Sequence, residues 1–402
     1  MKTAKLTFIL FLVTTLTHAQ KFEGLALTPP MGWNSWNTFG TDINEKLVRD
    51  IADAFVTLGL KDAGYQYIVL DDGWMAKERD ANGNLVADPK KFPSGMKALS
   101  DYVHSKGLKF GLYNCAGTHT CASYPGSRGY EYQDARLYAG FGVDYLKYDW
   151  CNTGKLNAEE AYITMRDALF KAGRPVVFSI CEWGENEPWK WAKNVGHLWR
   201  VTGDIGPFYD GEIGHGNWTS LGVWNIINLR KNIRSASGPG HWNDFDMMEV
   251  GNGMKPGEDR VHFGMWSILA SPLMMGNDLR TASKETIDLL TNKEVIAVNQ
   301  DKLGSQGFRF INEGGVEIWI KPLSGDDWAL IFVNMKDVPV ELNFNWQREH
   351  MGDNSLSRSI EVNKYTYLIR DLFKKQDIGT TKTNLKATIP SHDCLMVRLK
   401  RS

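Results

Sequence analysis

The stretch Gly142–Cys151, GVDYLKYDWC, decides how this chain is read. It has the composition of a buried β-strand whose last residues are charged. Alternation along a strand puts Val143, Tyr145, Lys147 and Asp149 on one face. A cation and a carboxylate therefore share a side at the strand's end, which is costly unless they are paired or used. They can form a structural ion pair closing one end of a barrel. They can also be catalytic: Lys147 is expected to hold Asp149 ionised, and an ionised carboxylate in a dry site can act as a nucleophile.

Neighbouring segments repeat the strand pattern. Tyr65–Leu70, Lys109–Tyr113, Val176–Ile180 and His197–Thr202 read as short apolar strands. Between them, Glu45–Leu58, Met96–Ser105, Tyr130–Gly140 and Glu159–Ala172 have helical periodicity. Such alternation implies a parallel sheet with helices outside, and its length suits a (β/α)8 barrel. No G-x-G-x-x-G follows the first strand, so a dinucleotide fold has little support. After about Leu303 the helices give way to strands at Gly307–Phe310, Val316–Lys321, Trp328–Asn334, Val338–Phe344, Thr366–Asp371 and Cys394–Leu399. The expected fold is thus α/β, a (β/α)8 TIM barrel over 20–302 followed by an antiparallel β-sandwich over 303–402.

Residues 1–19 read as a signal peptide. Lys2 and Lys5 precede an apolar run from Leu6 to Leu16, and Thr17-His18-Ala19 offers a cleavage site. That run is too short to span a bilayer as a helix. The mature chain is expected to be exported, periplasmic or secreted, with no membrane anchor. A net charge of −1 argues against a nucleic-acid partner. Five cysteines without metal-ligand spacing suggest neither zinc nor any other metal, and no cofactor is expected. Fifteen tryptophans stand out. Most should fill the core, but indole faces also suit the C–H faces of sugars.

The polar residues gather at strand ends. Asp71 and Asp72 follow YIVL, Tyr113 ends KFGLY, and Glu182-Trp183 follows VVFSIC. Asp204 follows HLWRVTG, and Asn243, Asp244 and Asp246 lie in GHWNDFDM. In a (β/α)8 barrel these ends converge on one mouth. Carboxylates and aromatics without a phosphate loop fit sugar binding, and glycosidic cleavage needs paired carboxylates.

From Leu25 to Gly307 the chain resembles the exported α-galactosidases of glycoside hydrolase family 27. The motifs are LALTPPMGWNSWNTFG, YIVLDDGW, GLKFGLY, GVDYLKYDWC, SICEWG, WRVTGDI, GPGHWNDFDMMEVGN, PLMMGNDLR and VIAVNQDKLG, in that order. The resemblance implies an exo-acting, retaining hydrolase of terminal α-galactosyl residues, with a galactosyl oligosaccharide or glycan as substrate. It implies Asp149 as nucleophile and Asp204 as acid/base. Asp71 and Asp72 fall on the pair binding the 4- and 6-hydroxyls, and Lys147 on the lysine at the 3- and 4-hydroxyls. Arg200 matches an arginine near the 2-hydroxyl, Asp246 a sugar-binding carboxylate, Trp36 a tryptophan under the sugar and Tyr113 a tyrosine beside the nucleophile. Glu182 and Trp183 are expected to fill the space that an acetamido group needs. Cys121 and Cys151 match a disulfide, whereas Cys181 lacks its family partner, replaced by Gly196, and should be a buried free thiol.

β-L-arabinopyranosidase and α-N-acetylgalactosaminidase are the rival activities within the family, and a non-catalytic sugar-binding barrel is the rival of another class. Asp244, His241, Met247 and Met248 are expected to be structural, and Trp33, Trp74 and Trp150 either packing or contact residues. Asn217-Trp218-Thr219 is a glycosylation sequon, expected to be unmodified behind a bacterial-looking leader.

Overall fold

The computed structural model describes residues 21–348 and 350–401, so the signal-peptide assignment lies outside the described residues. Eight parallel strands form one sheet: β1 Met31–Asn34, β2 Tyr67–Val69, β3 Lys109–Cys115, β4 Tyr145–Asp149, β5 Val177–Cys181, β6 Leu198–Arg200, β7 Trp242–Asp244 and β8 Leu273–Met275. Their order is β8-β1-β2-β3-β4-β5-β6-β7. A parallel bridge between Met248 and Met275 brings the chain beyond β7 back to β8 and closes the ring. The barrel interior is a layer of side chains that includes Tyr67, Val69, Tyr145, Val177, Leu198, Trp242 and Met274, a packed core rather than a pore.

The outer helices form where capping and periodicity agree. In Glu45–Thr57, Leu47, Val48, Ile51, Ala52 and Phe55 are buried, and Asn44 accepts a hydrogen bond from the Leu47 N–H at 2.9 Å. Ala158–Ala172 starts on an Asn157 cap and stops at Gly173, whose φ of +82° suits glycine. Gly32 has a different reason to be small. A Cβ there would stand 2.4 Å from the Tyr67 carbonyl oxygen, where β1 meets β2.

The last helix before the second unit, Lys293–Asn299, is followed by antiparallel strands β9 Phe308–Glu313, β10 Val316–Pro322 and β11 Trp328–Asn334. Next come β12 Val340–Phe344, β13 Tyr367–Asp371, β14 Gln376–Thr380, β15 Leu385–Ile389 and β16 Cys394–Arg401, with two two-residue strands between β12 and β13. One sheet has the order β9-β10-β11-β16-β13-β14, and β12 pairs with β15 in another. Trp328, Phe332, Phe344, Trp346, Leu385 and Ile389 pack between them. On the other face of the larger sheet, Trp319, Ile331 and Met396 join the core of the barrel unit. Gly264, in helix Pro256–Ile268, lets this contact close: a Cβ would stand 2.7 Å from Ile331 Cδ1. Trp33, Trp74, Trp199, Trp242, Trp266, Trp319, Trp328 and Trp346 are fully buried, so core filling is the role of most tryptophans.

The sequence-derived strand list omitted β1, β7, β8, β14 and β15. The three barrel strands have only three or four residues, too few to establish a period.

Candidate active site

The C-terminal ends of β1 to β7 carry the polar residues into one mouth. Asp71 and Asp72 lie just past β2, Tyr113 and Cys115 on β3, Lys147 and Asp149 on β4, and Cys181 ends β5. Arg200 ends β6, and Asp246 lies two residues past β7. Sheet register aligns Tyr113, Lys147 and Ser179 in one row and Cys115, Asp149 and Cys181 in the next. Paired residues in adjacent parallel strands point the same way, so Lys147 and Asp149 do share a face.

Lys147 is not spent on Asp149. Its Nζ lies 2.8 Å from Asp71 Oδ2, which also accepts from Asn34 Nδ2 at 2.7 Å. The Tyr113 ring centroid is 5.4 Å from the same ammonium. Burial acts to lower the Lys147 pKa, but Asp71, Cys181 and Asp149 outweigh it and hold the group well above its ordinary value. Asp149 Oδ1 accepts from the Trp150 N–H at 2.8 Å. Burial pushes its carboxyl up to about 7, Lys147 pulls against that, and the charge of Asp204 adds to it. Lys147 thus favours the ionised form of Asp149, as expected, but it is shared with Asp71 and works against full desolvation.

Asp72 braces the rim. Its Oδ1 accepts from the Gly73 N–H at 2.8 Å and its Oδ2 from the Ala122 N–H at 2.9 Å. Ala122 follows Cys121, which is joined to Cys151 by a disulfide. The Asp149 carboxylate and both sulfurs lie within 4.8 Å of one another, and Tyr113 Oη is 3.3 Å from Cys121 Sγ. With both sulfurs bonded to each other, this cluster offers no thiolate to a metal. Gly117 permits the loop to close here, since a Cβ would lie 2.0 Å from the Cys151 carbonyl oxygen.

Arg200 organises the opposite side. Its Nη2 lies 2.7 Å from Asp246 Oδ2 and 3.0 Å from Asp204 Oδ1, and donates to the Gly203 carbonyl at 2.8 Å. Asp246 Oδ2 also accepts from the Ile205 N–H at 2.8 Å, which ties β7 to the Asp204 loop. Asp246 holds a left-handed φ of +82°, a strained conformation for a non-glycine residue and one met at functional sites. The Asp204 side chain is 39% exposed, whereas Asp149 is buried. Asp244, expected to be structural, accepts from the Asp246 N–H at 2.9 Å, and burial pushes its carboxyl up to about 6. Below the mouth, Lys147, Ser179, Arg200, Asp244 and Met247 line a cavity of about 20 Å³, space for about one water.

The loop after β5 corrects one placement. Glu182 is fully buried, and its Oε2 accepts from the backbone and side-chain N–H groups of Asn186 in its own loop. Burial pushes its carboxyl up to about 7. Alternation from Ser179 sends Cys181 instead into the mouth, where Arg200 Nη1 is 3.9 Å from its sulfur. The Cys181 thiol is free, and burial beside Asp149 raises its pKa well above the ordinary value. Sequence reading gave Cys181 no role at the site, although strand alternation was a signal for one. Trp183 follows, half-buried with φ +58°. Trp33 and Trp74 donate to the carbonyls of Asn277 and Tyr113, and Trp150 stacks on Tyr162, so all three pack. Trp36 borders an outer cleft together with Asp204.

Residues 28–301 match the family model described as alpha galactosidase A, and residues 313–399 match the alpha galactosidase C-terminal beta sandwich domain. The chain belongs to the α-galactosidase family. It is 54% identical over 388 residues to "Alpha-galactosidase A" of Cellvibrio japonicus, covering 96% of each chain. Among solved structures, alpha-galactosidase I from Mortierella vinacea superposes with a TM-score of 0.86 at 37% identity, covering 94% of this chain and 98% of that one. A Saccharomyces cerevisiae α-galactosidase determined with raffinose gives 0.85 at 32% identity, covering 94% and 99%. Family membership makes this chain a glycoside hydrolase and gives the carboxylates at the barrel mouth a reaction to serve.

Proposed function

We propose that the chain hydrolyses terminal non-reducing α-D-galactosyl residues of oligosaccharides or glycans with retention of configuration. Asp149 attacks the anomeric carbon, while Asp204 protonates the leaving oxygen and later deprotonates the attacking water. The observation that carries this reading is the asymmetry of the two carboxylates. Asp149 is buried beside the Lys147–Asp71 pair, where the charge of Asp204 helps to raise its carboxyl, and Asp204 is part-exposed on an arginine tether. A dry carboxylate suits nucleophilic attack, and one at the open side can exchange its proton with leaving group and water.

Asp71, Asp72, Lys147 and Asp246 supply charged partners for the sugar hydroxyls. Trp36 and Tyr113 supply faces, and Arg200 positions Asp204 and Asp246. Cys181 and Trp183 take over the steric role first given to Glu182 and Trp183. The leader sequence supports export, with cleavage near Ala19.

The test is nitrophenol release from nitrophenyl α-galactoside, α-N-acetylgalactosaminide and β-L-arabinopyranoside side by side. The first should be cleaved fastest by at least about tenfold. Comparable cleavage of the acetamido sugar, or no cleavage of any, contradicts the reading.

A further inference from the structure

Glu249 is a carboxylate that the proposed chemistry does not use. It lies in the loop after β7 that also carries Asp246, and it is 2% exposed. Both of its oxygens are taken. Oε1 accepts from Asn37 Nδ2, and Oε2 accepts from Asn252 Nδ2 at 2.5 Å. Its own N–H donates to His262 Nε2 at 2.9 Å, which ties its backbone to the buried helix Pro256–Ile268. Burial pushes the carboxyl up, and the two amides pull against that. A carboxylate buried so fully is costly unless its bonds are put to use.

Asn37 follows Trp36, the indole at the barrel mouth. The helix Trp36–Phe39 that carries both has a single turn, too little to hold itself. It is held from outside. The Trp36 N–H donates to Asn34 Oδ1 at 2.8 Å, and Asn34 Nδ2 donates to Asp71. Thr38 Oγ1 donates to the Gly276 carbonyl at 2.6 Å. Gly276 lets the turn sit close, since a Cβ there would stand 3.1 Å from Asn37 Cβ. Between these two fastenings Asn37 is gripped by Glu249. The Trp36 ring packs on the layer that includes Met247 and Met274 but is only partly buried. Glu249 and Trp36 border the same cleft beside Asp204.

We propose that Glu249 is a positioning residue: by holding Asn37 it sets Trp36 under the bound sugar and locks that platform to the loop carrying Asp246. The proposal rests on the placement of Trp36 beneath the sugar. A carboxylate suits the task because it only accepts, so both amides must turn their nitrogens toward it. A face that touches substrate and transition state alike acts on KM more than on kcat.

The test is a double-mutant cycle on nitrophenyl α-galactoside. Glu249→Ala should raise KM about tenfold and lower kcat by less than about threefold. Asn37→Ala, which spares the buried carboxylate, should give the same split even where Glu249→Ala does not fold. Glu249→Gln should stay within about twofold of wild type, because its amide can donate to a turned Asn37 and still accept from Asn252. In a Trp36→Ala background neither alanine variant should raise KM further. Additive increases in KM overturn the proposal, as does a loss confined to kcat, since either means that Glu249 acts on something other than Trp36. If Trp36→Ala alone leaves KM unchanged, the placement of Trp36 beneath the sugar fails, and the clamp with it.

Discussion

Lys147 Nζ and Asp71 Oδ2 meet at 2.8 Å across the mouth of the barrel, joining the end of β4 to the residue after β2. Both side chains are almost fully buried. This ion pair, rather than one with Asp149, is the charge that organises the site's closed side. Lys147→Met should therefore destabilise the protein by about 3–5 kcal/mol, because Asp71 is left as an uncompensated buried charge. Adding Asp71→Asn should recover a substantial part of that loss without restoring activity. Urea denaturation of the two variants checks this, and full additivity would contradict the pairing.

The two carboxylates proposed as catalytic should fail differently. Asp149→Ala should abolish turnover of every substrate, since no glycosyl ester can form. Asp204→Ala should hurt poor leaving groups far more than activated ones, and azide should rescue it by attacking the β-galactosyl ester to give α-galactosyl azide. Identical leaving-group dependence in both variants, with azide product from neither, would remove the role assignment.

Burial of Asp149 has a consequence for stability against pH. Its folded pKa, about 7, lies above the ordinary carboxylate value. A raised pKa contributes stability that is fully present below the unfolded value and is lost as pH rises through the folded one. Asp149→Asn does not titrate, so its advantage over wild type should be near zero at pH 4. It should grow through neutrality to a ceiling of about 4 kcal/mol above pH 7. Asp244 and Glu182, raised to about 6 and about 7, act in the same direction. Thermal melts of the variant and of wild type between pH 4 and pH 8 check this. A melting difference between variant and wild type that is independent of pH would contradict this.

The disulfide between Cys121 and Cys151 closes a segment of 30 residues and lies against Asp149 and Tyr113. Chain entropy sets its stabilising effect at about 3–4 kcal/mol. The double variant Cys121→Ser with Cys151→Ser should melt at a lower temperature by a corresponding amount. It should also lose kcat more than KM, since the loop that braces Asp72 and the nucleophile is loosened. Unchanged melting would show that the bond is dispensable to the fold.

Specificity at the sugar 2-position should respond to Cys181 and Trp183 more than to Glu182. Small residues at the first two positions should lower galactoside activity while activity on the acetamido sugar appears. Glu182→Gln should mainly affect stability, since Asn186 holds its Oε2 within the loop and its Oε1 is buried without a partner. If Glu182→Gln alone shifts the substrate ratio, the placement of this loop is wrong.

What could be read from the sequence follows from what is local. β4 announced itself by its alternation, β5 by a mostly apolar run, and helices such as Ala158–Ala172 by their period. β1, β7 and β8 are too short to show a period. β14 and β15 were missed because much of QDIGT and LKATI faces solvent, so polar residues dilute the strand signal. At the site, motif and resemblance placed the residues at the mouth, but not their partners. Lys147 and Asp71 lie 76 residues apart, and nothing local says which carboxylate captures the ammonium. Cys181 was accessible in principle, because alternation from Ser179 points it inward and Glu182 outward. The hairpin of Glu212–Gly214 with Thr219–Leu221 was visible only as a sequon.

The proposed double displacement through an ester on Asp149 fixes which anomer is released first. Proton NMR of the first galactose released from an α-galactoside, before mutarotation, tests it most directly. The α-anomer should be the initial product, giving way to the equilibrium mixture only later. Release of β-galactose first would mean a single inverting displacement and would contradict Asp149 as nucleophile.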